Sequence, residues 1–458
     1  MTYNDFLKNK IIRAVPAGID IKHNLLNNHL KDFQRDVVIW ALKKGKAAIF
    51  AGTGLGKTFM QCEYGRMIYQ ELKKDVMIFA PLAVSKQTVN EAAKFGIDVN
   101  ICLDDSDTKH GINITNYERL DKFDIEKFGA IILDESSILK SQTGKVRTDL
   151  INRLNKTPYK LACTATPAPN DYMELGNHAE FLNVMKAKEM LSTFFIHDSG
   201  QTQKWRLKGH AVKDFWNWVA SWAVMFTKPS DLGYDNAGYD LPPANLQQVT
   251  VKTAAKGNSL FVVEAQTLQE RQRARKNTID ERIKATADLV NSSDEQWLIW
   301  CGLNEESDKL HKNITDSVEV KGSDTSEHKE KSMIGFASGE VKKLITKPSI
   351  AGFGMNWQNC HNMVFVGLND SFEQYYQAVR RCYRYGQDKP VNVYIVTADV
   401  EGQVIENVRR KEHDFEKMQH EMISATQEIT KGNITHKVIN VDFSHKDKAI
   451  LPKWIEVA

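Results

Sequence analysis

The stretch Ala51-Gly-Thr-Gly-Leu-Gly-Lys57-Thr58 limits what this chain can fold into more than any other part of it. It follows the apolar run 47–50 and precedes a segment whose apolar residues at 60, 64, 67 and 68 recur at helical spacing. The order therefore reads strand, glycine loop, helix. Glycines let backbone N–H groups close on a phosphate, and the N-terminus of the following helix adds positive potential. Gly52, Thr53, Gly54 and Gly56 would thus cradle the phosphates of a nucleoside triphosphate, with Lys57 reaching the β- and γ-phosphates and the Thr58 hydroxyl ligating Mg²⁺. A plain glycine turn is the competing reading, and it gives no reason for Lys-Thr after three alternating glycines. Ala51 stands where the usual pattern has glycine.

A chain of 458 residues is long enough for more than one domain. After the loop come short strand-like runs at 75–80, 112–115, 129–133 and 159–163, separated by polar or helical stretches. Near-continuous apolar strands alternating with helices predict a parallel sheet covered on both faces, with ligands outside the carboxyl ends of the strands. At that edge the 129–133 run delivers Asp134-Glu135, and the next strand delivers Thr164-Ala-Thr166-Pro167. Asp134 is placed to hold Mg²⁺, Glu135 to orient and polarise the attacking water, and the two threonines to sense the γ-phosphate. Gln34 precedes the loop strand and carries an amide able to read the adenine edge; a solvated helix residue is the alternative there.

The net charge of +3 does not by itself announce a nucleic-acid partner, so any positive surface must be local. Six cysteines without CxxC or Cys/His spacing fit reduced thiols in a cytoplasmic protein without structural zinc. No apolar run approaches the roughly 18 residues of a membrane span, so no membrane partner is expected.

Between about 181 and 240 the strand–helix alternation lapses, and Trp205, Trp216, Trp218 and Trp222 cluster with Lys204, Arg206, Lys208, His210 and Lys213. Basic residues interleaved with aromatics can grip a phosphate backbone and stack bases. Phe215, Trp218, Trp222 and Phe226 also fit the inner face of a helix, and core packing is the favoured role for these aromatics. Strand-like runs resume at 246–251, 296–300, 341–346, 362–366 and 391–396, with no second phosphate loop. The second half instead offers a helix opened by Ser371 and Gln374 as a capping box, carrying Gln377, Arg381 and Arg384 on one stripe and ending at Gly386. Two guanidinium forks on one face suit phosphate recognition and could complete a pocket on the neighbouring domain; a solvated basic face is the alternative. A charged helix is expected at 403–421, and the stretch from 436 to 458 is left open between an edge strand and a brace.

These elements together resemble superfamily 2 helicases and translocases, a family in which alanine is common at the position of Ala51. The segment Gln377-Ala-Val-Arg-Arg381-Cys-Tyr-Arg384-Tyr-Gly-Gln387 is similar to the arginine motif of the Swi/Snf-type branch, and 345–357 to the motif contacting ribose, phosphate and nucleic acid. The resemblance implies that Gly354 and Asn356 lie near the nucleotide and Thr346 near the nucleic-acid backbone. It also places backbone contacts at Pro81-Leu82-Ala83 and Asn116-Tyr117-Glu118. Where the family carries Asp-Glu-Ala-Asp or Asp-Glu-x-His, this chain has Asp134-Glu-Ser136-Ser137. The expected architecture is α/β: two RecA-like parallel-sheet domains in tandem, with a helical, Trp-rich insertion between them. Its parts are an ATP-binding domain at 1–180, the insertion at 181–244, a second RecA-like domain at 245–425 and a tail at 426–458. The expected function is ATP-dependent movement along DNA, with duplex as the favoured form, by a monomer of bacterial or viral origin. Lys57, Glu135, Arg381 and Arg384 form the expected catalytic set. An RNA helicase and a non-hydrolytic, ATP-switched nucleic-acid clamp are the competing functions.

Overall fold

A computed structural model of the chain describes residues 14, 16–81, 84–140, 144–169, 171–197, 205–252, 273, 275–351, 355–368, 371–399 and 404–434. The first lobe opens with helix α1 (Asp32–Lys44), then β1 (Lys46–Ala51), the glycine loop and α2 (Lys57–Leu72). It continues through β2 (Val76–Ala80), α3 (Ser85–Ala93), β3 (Val99–Ile101), β4 (Ile112–Asn116), β5 (Ala130–Asp134), α4 (Lys145–Arg153) and β6 (Tyr159–Thr164). Helices α5 (Leu175–Phe181) and α6 (Ala187–Phe194) follow, then a hairpin of β7 (Phe195–His197) and β8 (Trp205–Leu207), α7 (Val212–Ala220) and β9 (Ala223–Phe226).

Seven strands form one sheet in the order β3-β4-β2-β5-β6-β1-β9, every neighbouring pair parallel. The strands are apolar on both faces because both faces are covered. Ile49, Ile78, Ile132 and Leu161 enter one core, while Phe50, Met77, Phe79, Ile131 and Leu133 enter the other.

The second lobe repeats the plan. It runs β10 (Ala244–Val251), α8 (Ile279–Asn291), β11 (Trp297–Trp300), α9 (Asn304–Asn313), β12 (Ser317–Glu319), α10 (Ser326–Ser338) and β13 (Lys343–Thr346). Then come α11 (Pro348–Ala351), β14 (Asn362–Val366), α12 (Phe372–Val379), β15 (Val391–Ala398) and α13 (Val404–Ile434). Its six-stranded sheet has the order β10-β15-β14-β11-β13-β12, again parallel throughout. Trp300, Met363 and Phe365 pack on one face, and Trp297, Ile299, Val364 and Val366 on the other. The architecture is the expected tandem of two RecA-like lobes.

Three local expectations change. The aromatic run from 215 to 226 is not one helix: α7 stops at Ala220, and β9 follows beside β1, pairing Phe226 with Ala51. A strand from the expected insertion therefore completes the first sheet. Phe215, Trp218, Trp222 and Phe226 are all buried, in keeping with the favoured core role. Second, α12 ends at Val379, and Arg381 and Arg384 lie beyond it in turns closed by bonds such as Arg381 N–H to Ala378 O (3.2 Å) and Cys382 N–H to Val379 O (3.2 Å). Third, α13 runs on across the boundary expected at 425. The stretch 436–458 lies outside the described residues.

Candidate active site at the seam between the lobes

The loop after β1 has the geometry its glycines allow. Gly54 and Gly56 have φ of +87° and +82°, conformations that side-chain-bearing residues rarely adopt. A Cβ on Gly56 would lie 2.3 Å from Gln34 Nε2, because Gln34 packs directly over the loop. Gln34 Nε2 donates to Leu55 O (3.0 Å), and its Oε1 accepts from Lys31 N–H (2.9 Å). Its amide thus ties α1 to the glycine loop, a role that helical spacing alone did not suggest. Lys57 Nζ donates to Ala51 O (2.8 Å) and Gly52 O (3.2 Å). Burial lowers its pKa, against the opposing pull of Glu135 and Asp134. Thr58 stands at the second position of α2, beside these groups.

Asp134 ends β5 at the same edge, and Glu135 follows it. Burial first, and Glu135 second, push the Asp134 carboxyl up to about 7, with the Gln61 amide favouring the charged form. Asp134 Oδ1 accepts from Glu135 N–H (3.1 Å), and Glu135 itself sits at φ +53°, a left-handed conformation unusual for a residue with a side chain. Thr164 Oγ1 donates to a Glu135 carboxylate oxygen (3.3 Å), and Thr166 N–H donates to Thr164 Oγ1 (3.1 Å). Two acidic groups so placed, one of them buried, fit a divalent cation, whose charge would relieve the burial. Among the described residues no group of three or more His, Cys, Asp or Glu side chains could hold a metal.

The second lobe closes over this edge. Arg381 Nε donates to Gln377 O (3.1 Å) and its Nη1 to Met355 O (3.1 Å), and Arg384 Nη1 reaches the same Met355 carbonyl (3.5 Å). One carbonyl therefore gathers both guanidinium groups after the helix has ended. Both are buried deeply enough to lower their pKa, that of Arg384 to about 10 through burial first and Arg381 second, while Glu135 attracts both. Tyr385 rests on the glycine loop: a Cβ on Gly54 would lie 2.8 Å from Tyr385 N. Its ring stacks on Tyr239, centroids 4.6 Å apart. Asn356 Nδ2 donates to Glu91 of α3 (2.6 Å), and Glu373 of α12 pairs with Lys140, just past the acidic motif. Gln377 is buried, its Nε2 toward Glu373 (3.4 Å), and acts on Arg381 through its backbone carbonyl. Gly354 lies outside the described residues.

Two residues expected at nucleic acid face inward. Thr346 is fully buried, its hydroxyl donating to Val320 O (3.1 Å), and Tyr117 is buried with its hydroxyl donating to Asp134 O (2.6 Å). Tyr117 thus braces the acidic motif. Leu82 and Ala83 lie outside the described residues. Sequence reading also missed Tyr385 as a loop contact, although it sits beside Arg384 in the arginine motif. Ser136, the first residue after the acidic pair, is buried with its hydroxyl 3.1 Å from His178 Nε2, and the His178 ring meets Phe50 edge-on.

Two outcomes follow from this packing. Gly54→Ala places a methyl group against Tyr385 in a strained conformation, which should cost the closed seam about 1–3 kcal/mol; interlobe fluorescence transfer would read wider separation. Burial lowers the His178 pKa to about 4 from its ordinary 6.5. Above 6.5 it is neutral folded or unfolded; as pH falls from 6.5 toward 4 only the unfolded chain takes up the proton, so stability drops, by up to roughly 3 kcal/mol. Denaturation of His178→Gln across this window should show a shallower slope.

Two family models match the chain. Residues 20–169 match the type III restriction enzyme res subunit, and residues 281–386 match the helicase conserved C-terminal domain. No curated protein matches in sequence. Among solved structures, the Sulfolobus solfataricus SWI2/SNF2 ATPase core in complex with dsDNA matches at 18% identity and a TM-score of 0.42, over 91% of this chain and 99% of that one. No helix among the described residues is long and apolar enough to cross a membrane. With one matched model on each side of the seam, the chain belongs to superfamily 2 of the helicases and translocases.

Proposed function

We propose that the chain is a motor that hydrolyses ATP in the seam between its lobes and moves along DNA. The observation that carries this reading is where the arginine turn lies: Tyr385, next to Arg384, rests against Gly54 of the glycine loop, while Arg381 is buried and Arg384 half-buried, both attracted by Glu135 of the other lobe and both donating to the Met355 carbonyl. The phosphates of ATP would sit on Gly52, Thr53, Gly54, Gly56 and Lys57, and Mg²⁺ on Thr58 and Asp134, where it would neutralise phosphate charge. Glu135, held by Thr164, orients and polarises the attacking water. Arg381 and Arg384 supply positive charge from the second lobe to the γ-phosphate as it is transferred. Asn356 and Gln377 support the closed seam, through Glu91 and Arg381 respectively.

Loss of the γ-phosphate removes what both lobes hold in common, so the seam loosens after hydrolysis. Alternating grip on a phosphate backbone then becomes stepping. Such grip is largely blind to sequence and weakens with salt. The Swi/Snf-like pattern around Arg381 and Arg384 favours duplex DNA over single strands or RNA. The chain supplies both halves of its pocket, which fits a monomer.

Lys57→Ala and Glu135→Gln should each abolish ATP turnover while DNA binding stays measurable; turnover retained in both would defeat the assignment. Arg381→Ala should lower kcat at least about tenfold, given the size of arginine-finger effects, and an unchanged rate would remove the second lobe from the chemistry. ATPase rates with duplex DNA, single-stranded DNA and RNA should rank duplex first. Stimulation by RNA alone would make the chain an RNA motor, and binding without turnover would make it a clamp.

A further inference from the structure

Helix α13 lays one buried stripe across both lobes. Phe415 packs against Phe372 and Tyr376 of α12, ring centroids 5.6 and 5.1 Å apart, just ahead of the arginine turn. One turn on, Met418 touches the cores of both lobes, and Met422 and Thr426 are buried against the first. Between these anchors, Gln419 Nε2 donates to the Ala165 carbonyl at 3.4 Å, and Glu421 accepts from the Tyr172 hydroxyl at 2.6 Å. Ala165 lies directly after Thr164, the residue that donates to Glu135. Beside this contact lies a small apolar cleft lined by Phe50, Ala165, Pro167, Met225, Met422 and Ile423.

We propose that Gln419 is a positioning residue for hydrolysis: by holding the Ala165 carbonyl it sets Thr164, and through it Glu135, according to where the second lobe's arginine turn stands. This rests on the motor reading above. The physical argument is rigidity. A continuous 31-residue helix fixed to α12 at Phe415 carries a displacement of the second lobe to Gln419 one turn away. Charge from the arginines and orientation of the water by Glu135 are then delivered together.

Gln419→Met keeps the length of the side chain and removes the donor; Gln419→Lys keeps a donor. The first should lower kcat about three- to tenfold, the size of one net hydrogen bond, with KM for ATP within about twofold, and the second should restore most of the rate. Thr164→Val should lower kcat as well, and adding Gln419→Met to it should cost nothing further, because both act along one path. The proposal is overturned if Gln419→Met leaves kcat unchanged, if KM moves by the same factor as kcat, if Gln419→Lys is as slow as Gln419→Met, if Thr164→Val is silent, or if the two effects multiply. None of those results would restore turnover to Lys57→Ala, so the motor reading stands or falls separately.

Discussion

Two guanidinium groups, one buried and one half-buried, set beside each other cost free energy, and the second lobe is arranged to hold them there. Arg381 and Arg384 repel one another, and burial lowers the pKa of both. What stabilises them is backbone: the Met355 carbonyl takes a donor from each, and the Gln377 carbonyl takes a second from Arg381. Long-range attraction from Glu135 offsets part of the remaining cost, which makes the arrangement depend on the first lobe being present. Neither lobe alone has a balanced charge distribution at this edge. One ends in a buried acidic pair with a lysine folded onto its own loop, the other in two cations gathered on a carbonyl. A polyanion with its counterion is the ligand that balances such a surface, which is why the nucleotide reading follows from electrostatics as well as from the loop pattern.

The closure depends on contacts of several kinds, and few of them are apolar. Tyr385 meets the loop at the one glycine whose missing side chain makes room for it, Asn356 meets Glu91, and Lys140 meets Glu373. Such polar contacts are exchangeable with water, so they can form and break within a working cycle; a large apolar interface could not. The apolar contribution comes from α13, which buries Phe415 in one core and Met422 in the other. A hinge spanned by a rod of this kind limits the directions in which the lobes can part.

The strands were legible because their chemistry is local. Runs such as Val-Met-Ile-Phe-Ala at 76–80 are apolar at every position, and only burial on both faces accommodates that. Short strands were missed where the signal is weak or shared. β9 reads as helix because its Phe226 continues the spacing of Phe215, Trp218 and Trp222, and pairing with β1 decides otherwise. The arginine turn was read one element too long, because Gln377, Arg381 and Arg384 keep helical spacing past the point where α12 ends. Both arginines still reach one carbonyl, so the expected juxtaposition arises by a different backbone route. Thr346 and Tyr117 were placed at nucleic acid by motif position, yet their hydroxyls are committed to carbonyls inside the lobes.

By itself the sequence determined the glycine loop between strand and helix, the acidic pair at a strand end and the two parallel sheets, because each is specified within a few consecutive residues by glycine, charge and apolar run. The tertiary structure alone decided that Gln34 clamps the loop, that Tyr117 supports Asp134, that Tyr385 fills the space above Gly54 and that α13 returns to the first lobe. Those relations join residues far apart in the chain, and no spacing rule reaches across that separation; they exist only once two cores have packed and a shared helix has fixed the distance between them.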